Sequence, residues 1–276
     1  MQFFFFLKKI YNLRNNHWSL VLNQEKVVIT FLGSGSAFSV GNQNYQSNIL
    51  LTSNSSNLLI DCGGDIRHSL HEQGLNYNDI HEVYISHLHG DHVGGLEWLG
   101  LNRRFNSQLP KPILHISDAL VDKLWSKVLS GGMETLLNKL ANLDDYFNVN
   151  LIAENSYFTW NHIKFHLVRT QHYFSNNQLA PSFGLFFYCN DKEIFITTDT
   201  QFTPEKFMEF YTKADLIFHD CTIGRFCGVH SHYDQLKTLD DQIKSKIWLY
   251  HYDSSDLPNA NADGFLGLVK KGQKFY

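Results

Sequence analysis

The chain has 276 residues, 43% of them hydrophobic, enough for one large domain or two small ones with a sizeable core. Its 23 basic and 27 acidic side chains leave a net charge of −4, which excludes a global basic field drawing it onto nucleic acid. The four cysteines (Cys62, Cys189, Cys221, Cys227) show no C-x-x-C spacing, so free thiols in a reducing compartment are expected and a disulfide framework is not.

In chain order, residues 1–26 read as an N-terminal extension ahead of a single domain, residues 27–276. Its apolar Phe3-Phe4-Phe5-Phe6-Leu7 is far shorter than the ~18–20 residues of a membrane span. Lys8 and Lys9 follow the apolar run where a signal peptide has its charges in front, so a cytoplasmic location without membrane partners is expected. Residues 27–32 form a strand entering Gly33-Ser34-Gly35, a tight turn that completes neither the dinucleotide nor the P-loop pattern. Residues 48–51 and 57–61 read as paired strands around a Ser/Asn-rich turn, and residues 65–73 as a helix stopped by Gly74.

The chemistry concentrates next. Val83-Tyr84-Ile85 is a buried strand, and a helix opens near Gly94-Gly95. Between them His87-Leu88-His89-Gly90-Asp91-His92 packs three imidazoles and a carboxylate into six residues. Alternate side chains of an extended segment share a face, so His87 and His89 can bind one ion. Asp91 and His92 lie past the glycine bend and suit a second. Neutral imidazole and carboxylate are ligands for zinc, manganese or iron.

Later segments repeat one grammar: an apolar strand with His or Asp at its C-terminal end. Residues 113–116 form a strand in which His115 is a satisfied structural histidine, followed by a helical region over 118–141 interrupted at Gly131-Gly132. Residues 163–168 deliver His172; a hairpin over 182–197 ends in Asp199; residues 215–222 carry His219-Asp220; and residues 246–253 carry His251. No repeat of fixed period is visible.

H-x-H-x-D-H after a strand resembles the metallo-β-lactamase fold, an α/β (α+β) four-layer αβ/βα sandwich with its metals along one edge. That resemblance implies two divalent ions, zinc foremost and manganese or iron(II) as alternatives. One would be held by His87, His89 and His172, the other by Asp91, His92 and His251, with Asp199 bridging and Asp61 bracing the metal loops. It further implies a metal-bridged hydroxide as nucleophile, with Asp91 orienting or deprotonating the water. His219-Asp220-Cys221-Thr222 and Gly228-Val229-His230-Ser231-His232 resemble the ribonuclease Z and phosphodiesterase branch, in which an acid/His pair protonates the leaving oxygen. Asp220 and His230 take those roles here. Asp replaces the usual Glu, and His232 stands where Thr is common, so His232 could share or replace the role of His230.

Three activities compete: a phosphodiesterase of a small, cyclic nucleotide; a ribonuclease Z-type tRNA 3′-end endonuclease; and another metallo-β-lactamase fold hydrolase. Ribonuclease Z grips tRNA with a long arm between its third His and the bridging Asp. Asp199 follows His172 by only 27 residues, nearly all taken up by the hairpin. The first activity is therefore expected, resembling cyclic-nucleotide phosphodiesterases of this fold, including the phage-type anti-Pycsar enzymes. The family also implies a homodimer. Tyr173, Phe174, Phe226 and Tyr252 are candidates to stack on a base.

Overall fold

In the computed structural model, residues 26–39, 44–54, 56–224, 226–252 and 256–276 are described. The expectations for the Phe-rich extension and for Asp253 lie outside them. Two seven-stranded sheets face each other. The first runs β18 (Lys274–Phe275), β1 (Val28–Phe31), β2 (Ile49–Ser53), β3 (Ser56–Ile60), β4 (Glu82–Ile85), β5 (Ile113–Ser117), β8 (Asn148–Ile152). The second runs β17 (Gly267–Leu268), β16 (Ile247–Tyr250), β15 (Leu216–Asp220), β14 (Lys192–Ile196), β13 (Phe183–Cys189), β10 (Ile163–Arg169), β9 (Tyr157–Trp160). Two small hairpins complete the strands: β6 and β7 (Thr135–Leu136, Lys139–Leu140), and β11 and β12 (Phe174–Ser175, Gln178–Leu179).

The sheets share one pattern of pairing. In the first, β18-β1-β2-β3 pair antiparallel and β3-β4-β5-β8 parallel. In the second, β9-β10-β13-β14 pair antiparallel and β14-β15-β16-β17 parallel. Parallel neighbours end at the same pole, so the loops after β3, β4, β14, β15 and β16 converge there, as they do at the carboxyl ends of parallel strands generally. Those loops carry Asp61, His87, Asp199 and His251, and Asp220 is the last residue of β15 beside them.

Between the sheets a ladder of rings runs Tyr84, Phe158, Phe165, Phe187, with successive centroids 5.3, 5.0 and 4.5 Å apart. The Tyr84 hydroxyl donates to the Phe183 carbonyl across the gap, satisfying the one polar atom the ladder buries. Helices α1 (Ile66–Glu72), α2 (Gly90–Val93) and α3 (Leu96–Phe105) accompany the first sheet, burying Ile66, Leu70, Leu96 and Leu99. A helical run follows β5: α4 (Asp118–Lys123), a wider-turned stretch Leu124–Leu129, then α5 (Ser130–Met133). On the second sheet, α6 (Pro204–Lys213) buries Phe207 and Tyr211 against Phe195, Ile217, Ile247 and Leu249. Short helices α7 (Tyr233–Leu236) and α8 (Asp241–Lys244) close that side. This is the expected four-layer sandwich.

Several local expectations hold. Gly74 follows α1 at φ +73°, the left-handed stop that glycine tolerates. The β13–β14 hairpin turns on Asn190 and Asp191, both at positive φ, as a two-residue turn requires. Gly33 abuts Tyr45 so closely that a Cβ would lie 2.3 Å from its carbonyl oxygen, so the Gly33–Gly35 turn is structural. His115 is satisfied by Glu82 at 2.6 Å and Asn150 at 2.9 Å. One reading is corrected. The helix after β5 passes through Gly131-Gly132 and stops at Met133, because Asn138 at φ 65° lets residues 135–140 fold back as β6 and β7. The helix expected near Gly94-Gly95 is α3, opening at Leu96 with Gly95 as its N-cap, and a further short turn, α2, starts at Gly90 inside the histidine motif.

Candidate metal centre

The convergence of loops brings all seven sequence-derived ligands together. His87 and His89 lie on the extended segment leaving β4, and Nε2 of the first is 3.1 Å from Nδ1 of the second. Nε2 of His172 approaches the same His89 nitrogen at 3.0 Å. His87, His89, His172 and Asp199 thus form one group with one donor atom each within 4.8 Å of the others. Asp91, His92, Asp199 and His251 form a second under the same limit. There the Asp91 carboxylate lies 3.2 Å from both His92 Nε2 and His251 Nε2, and Asp199 lies 3.2 Å from His92 Nε2. Asp199 is common to both groups.

Three of the imidazoles are fixed from behind. Nδ1 of His92 faces the Asp61 carboxylate at 2.7 Å, Nδ1 of His172 donates to the Val229 carbonyl at 2.8 Å, and Nδ1 of His87 meets the Ser86 hydroxyl at 3.1 Å. A partner on one ring nitrogen sets the tautomer and aims the other, the usual support of a metal-binding histidine. Asp61 also accepts from the Ser86 amide and hydroxyl, both at 2.8 Å, so it acts as the brace expected of it. Asp61, Thr198 and His251 adopt left-handed φ of 62°, 51° and 67°, conformations unfavourable for residues with a Cβ and held here by the surrounding bonds. Thr198, for example, donates its hydroxyl to the Phe183 carbonyl at 3.1 Å.

Buried polar atoms test whether ions fit. Nε2 of His92 and Oδ1 of Asp199 are sealed from solvent and make no hydrogen bond, which is costly unless something else satisfies them. A set of imidazoles and carboxylates suits a divalent ion of the zinc class in each group.

Comparison with known proteins follows from this geometry. A family model described as anti-Pycsar protein Apyc1 matches residues 27–275. This chain belongs to the anti-Pycsar Apyc1 family. It is 34% identical to the anti-Pycsar protein of Paenibacillus sp. (strain J14) over 250 residues, covering 90% of this chain and 98% of that one. It is 32% identical to that of Bacillus phage vB_BsuM-Goe3, covering 87% and 92%. Among solved structures, the metallo-β-lactamase fold protein YhfI from Bacillus subtilis superposes with a TM-score of 0.70 at 16% identity, covering 91% of this chain and 100% of YhfI. Human tRNase Z, short form, superposes with a TM-score of 0.62 at 20% identity, covering 90% and 98%. The fold is that of the metallo-β-lactamases.

In this Apyc1-family site a third group adjoins the second: Asp220 and His230, beside Asp199 and His251. Nδ1 of His230 lies 2.9 Å from Asp220 Oδ2, and its ring centroid is 4.8 Å from His172 and 4.7 Å from His251. His232 is elsewhere. It caps α7, its Nδ1 accepting from the Asp234 amide and its Nε2 facing the Gly224 carbonyl, both at 3.2 Å, so it neither shares nor replaces the place of His230. Of the four candidate aromatics, Tyr173 lies tilted with its ring centroid 4.4 Å from that of His89. Tyr252 is buried, with its hydroxyl donating to Val269, and is a packing residue. Phe174 and Phe226 are exposed.

The electrostatics divide the two groups. Burial pushes His87 well below the usual imidazole range and His172 down to about 4, so both are neutral at pH 7. Burial acts the same way on His92 and His251, but Asp199, Asp91 and their neighbours outweigh it and raise both well above that range. Burial likewise favours a neutral Asp199, and the charges of His251 and His92 overcome it. For His230, burial is outweighed by Asp220, and its pKa is raised.

Sequence reasoning missed Ser86 and the Val229 carbonyl. Ser86 is adjacent to the motif, but nothing in a lone serine marks it as a support. A backbone acceptor leaves no trace in side-chain identity. Among the described residues no helix is long and apolar enough to cross a membrane.

Proposed function

We propose that this chain is a phosphodiester-hydrolysing enzyme that opens a small cyclic nucleotide to a linear monophosphate. His87, His89 and His172 would hold one divalent ion, zinc by preference of its ligands, and Asp91, His92 and His251 a second, with Asp199 shared. Two ions so placed acidify a water and offset charge on the phosphoryl oxygens. The chain's own groups do the rest. Asp91, whose Oδ2 lies 3.2 Å from the ligand nitrogens of His92 and His251, orients the attacking water. His230, kept protonated by Asp220, gives its proton to the departing ribose oxygen.

The observation that carries this reading is the acid/His pair set against both ligand groups, 2.9 Å within itself and under 5 Å from a ligand ring on either side. A thiolate leaves without a proton and the related lactamases cleave without such a pair, whereas a ribose alkoxide leaving group needs a donor. Family membership supports the same choice, since anti-Pycsar enzymes act on cyclic nucleotide signals. The tRNA reading is weaker here because the 27 residues from His172 to Asp199 are used by β11 to β14, leaving no segment for a tRNA-gripping arm. The reading includes a catalytic domain over residues 27–276 and a homodimer, both taken from the family. Its test is turnover of cyclic mononucleotides by protein stripped with chelator and reloaded with zinc or manganese. Activity should return as the second equivalent binds. Full activity in the stripped protein, or none on any cyclic nucleotide at two equivalents, would end it.

A further inference from the structure

Two buried carboxylates stand behind the second ligand group. Asp61 faces Nδ1 of His92 at 2.7 Å. The other is Asp220, fully buried at the end of β15. Its Oδ2 accepts from the Thr200 amide at 2.8 Å and from His230 Nδ1 at 2.9 Å. Its Oδ1 faces Nδ1 of His251 at 3.4 Å, and neither of those two atoms has a hydrogen-bond partner elsewhere among the described residues.

The backbone fixes this relation. Asp220 pairs with Tyr250 in the parallel β15–β16 ladder, and the Cys221 amide donates to the Tyr250 carbonyl at 2.8 Å, so His251 leaves the sheet beside the Asp220 carboxylate. The Thr197 hydroxyl accepts from the Asp220 amide at 2.9 Å. A histidine that offers Nε2 to a cation carries its proton on Nδ1, and when buried that N–H needs an acceptor. For His251 the acceptor at hand is Asp220.

We propose that Asp220 is a positioning residue for the second ion as well as for the proton donor. One oxygen orients the ligand imidazole of His251 and the other orients His230, so ion binding and leaving-group protonation hang on a single carboxylate. The inference rests on the two-ion reading above. It separates Asp220 from His230, which would otherwise act as one unit: loss of His230 removes the donor alone, while loss of the Asp220 charge removes the donor's support and loosens the second ion.

Metal titration distinguishes them. Stripped wild-type, Asp220→Asn and His230→Ala proteins are titrated with Zn2+ against a chromophoric chelator. Asp220→Asn should weaken the second of two ions about 10–100-fold, the usual cost of removing an outer support, and leave the first unchanged. His230→Ala should bind both ions as wild type does. Asp220→Asn with two wild-type affinities overturns the proposal, as does equal weakening of both ions. A wild-type protein that takes up only one ion overturns the two-ion reading itself. Should Asp220→Asn fail to fold, the wild-type zinc-loaded protein answers by nitrogen-15 histidine NMR. A protected, low-field Nδ1–H at His251 is expected, and an Nδ1 that is unprotonated or in free exchange with water contradicts it.

Discussion

Replacing His230 with Ala perturbs one atom's job. Its Nδ1 is taken by Asp220 at 2.9 Å, and its side chain is 17% exposed. Its other nitrogen has no partner among the described residues and is free to meet a departing oxygen. General acid catalysis is worth roughly 10²–10⁴-fold, which is about 3–5 kcal/mol of barrier. That loss is expected in kcat on a cyclic nucleotide, whose ribose leaving group needs a proton. On bis(4-nitrophenyl) phosphate, whose leaving group departs as a stable anion, the loss should shrink to less than about tenfold on the same reasoning. The pH profile carries the sign. Asp220 raises the His230 pKa despite its burial, so the protonated donor persists above 6.5 and is lost as pH rises through the raised value. The nucleotide rate should therefore fall on that alkaline limb, and the limb should be missing from His230→Ala. Equal losses on both substrates, with the limb intact, would refute the assignment.

Other perturbations reach other parts of the site. Asp199→Ala removes the carboxylate common to both groups, and elemental analysis should show well under two ions per chain with activity abolished. Acidification should release both ions, because protons compete for the ligand imidazoles, and elemental analysis across a pH-stepped dialysis reads that loss. Tyr173→Ala removes a ring 4.4 Å from His89 and should raise KM for nucleotides several-fold with zinc content unchanged, read from steady-state kinetics. Arg103 is buried and donates to Ile80 at 2.8 Å and to Pro110 at 2.6 Å, so Arg103→Ala, stranding those carbonyls, should cost about 2–4 kcal/mol in urea unfolding.

The site was more legible in the sequence than the fold. His87 to His92 announce themselves because six residues hold four ligands of two types at a spacing with few other uses. His172, Asp199 and His251 are unremarkable singly and gain meaning from their order along strand ends. The matching pattern of pairings in the two sheets left no sequence repeat, because it constrains which strands neighbour each other and not which residues fill them. β8 was missed although Asn148-Val149-Asn150-Leu151 alternates polar and apolar, because asparagine is disfavoured in strands and Leu151 at the sheet edge is exposed, so the short run carries little burial signal. The overlong helix after β5 reflects local propensity overridden by one Asn in a left-handed turn. The choice between His230 and His232 was likewise closed to sequence, because only the α7 cap shows that one of two nearby histidines is already occupied.

The central claim is most directly tested by the ratio of kcat/KM for a cyclic mononucleotide to that for a precursor tRNA, measured with the two-zinc protein in one buffer at moderate salt. A ratio far above one, with linear monophosphate as product, is expected. Efficient trimming of the tRNA 3′ end with the cyclic nucleotide left intact would contradict it.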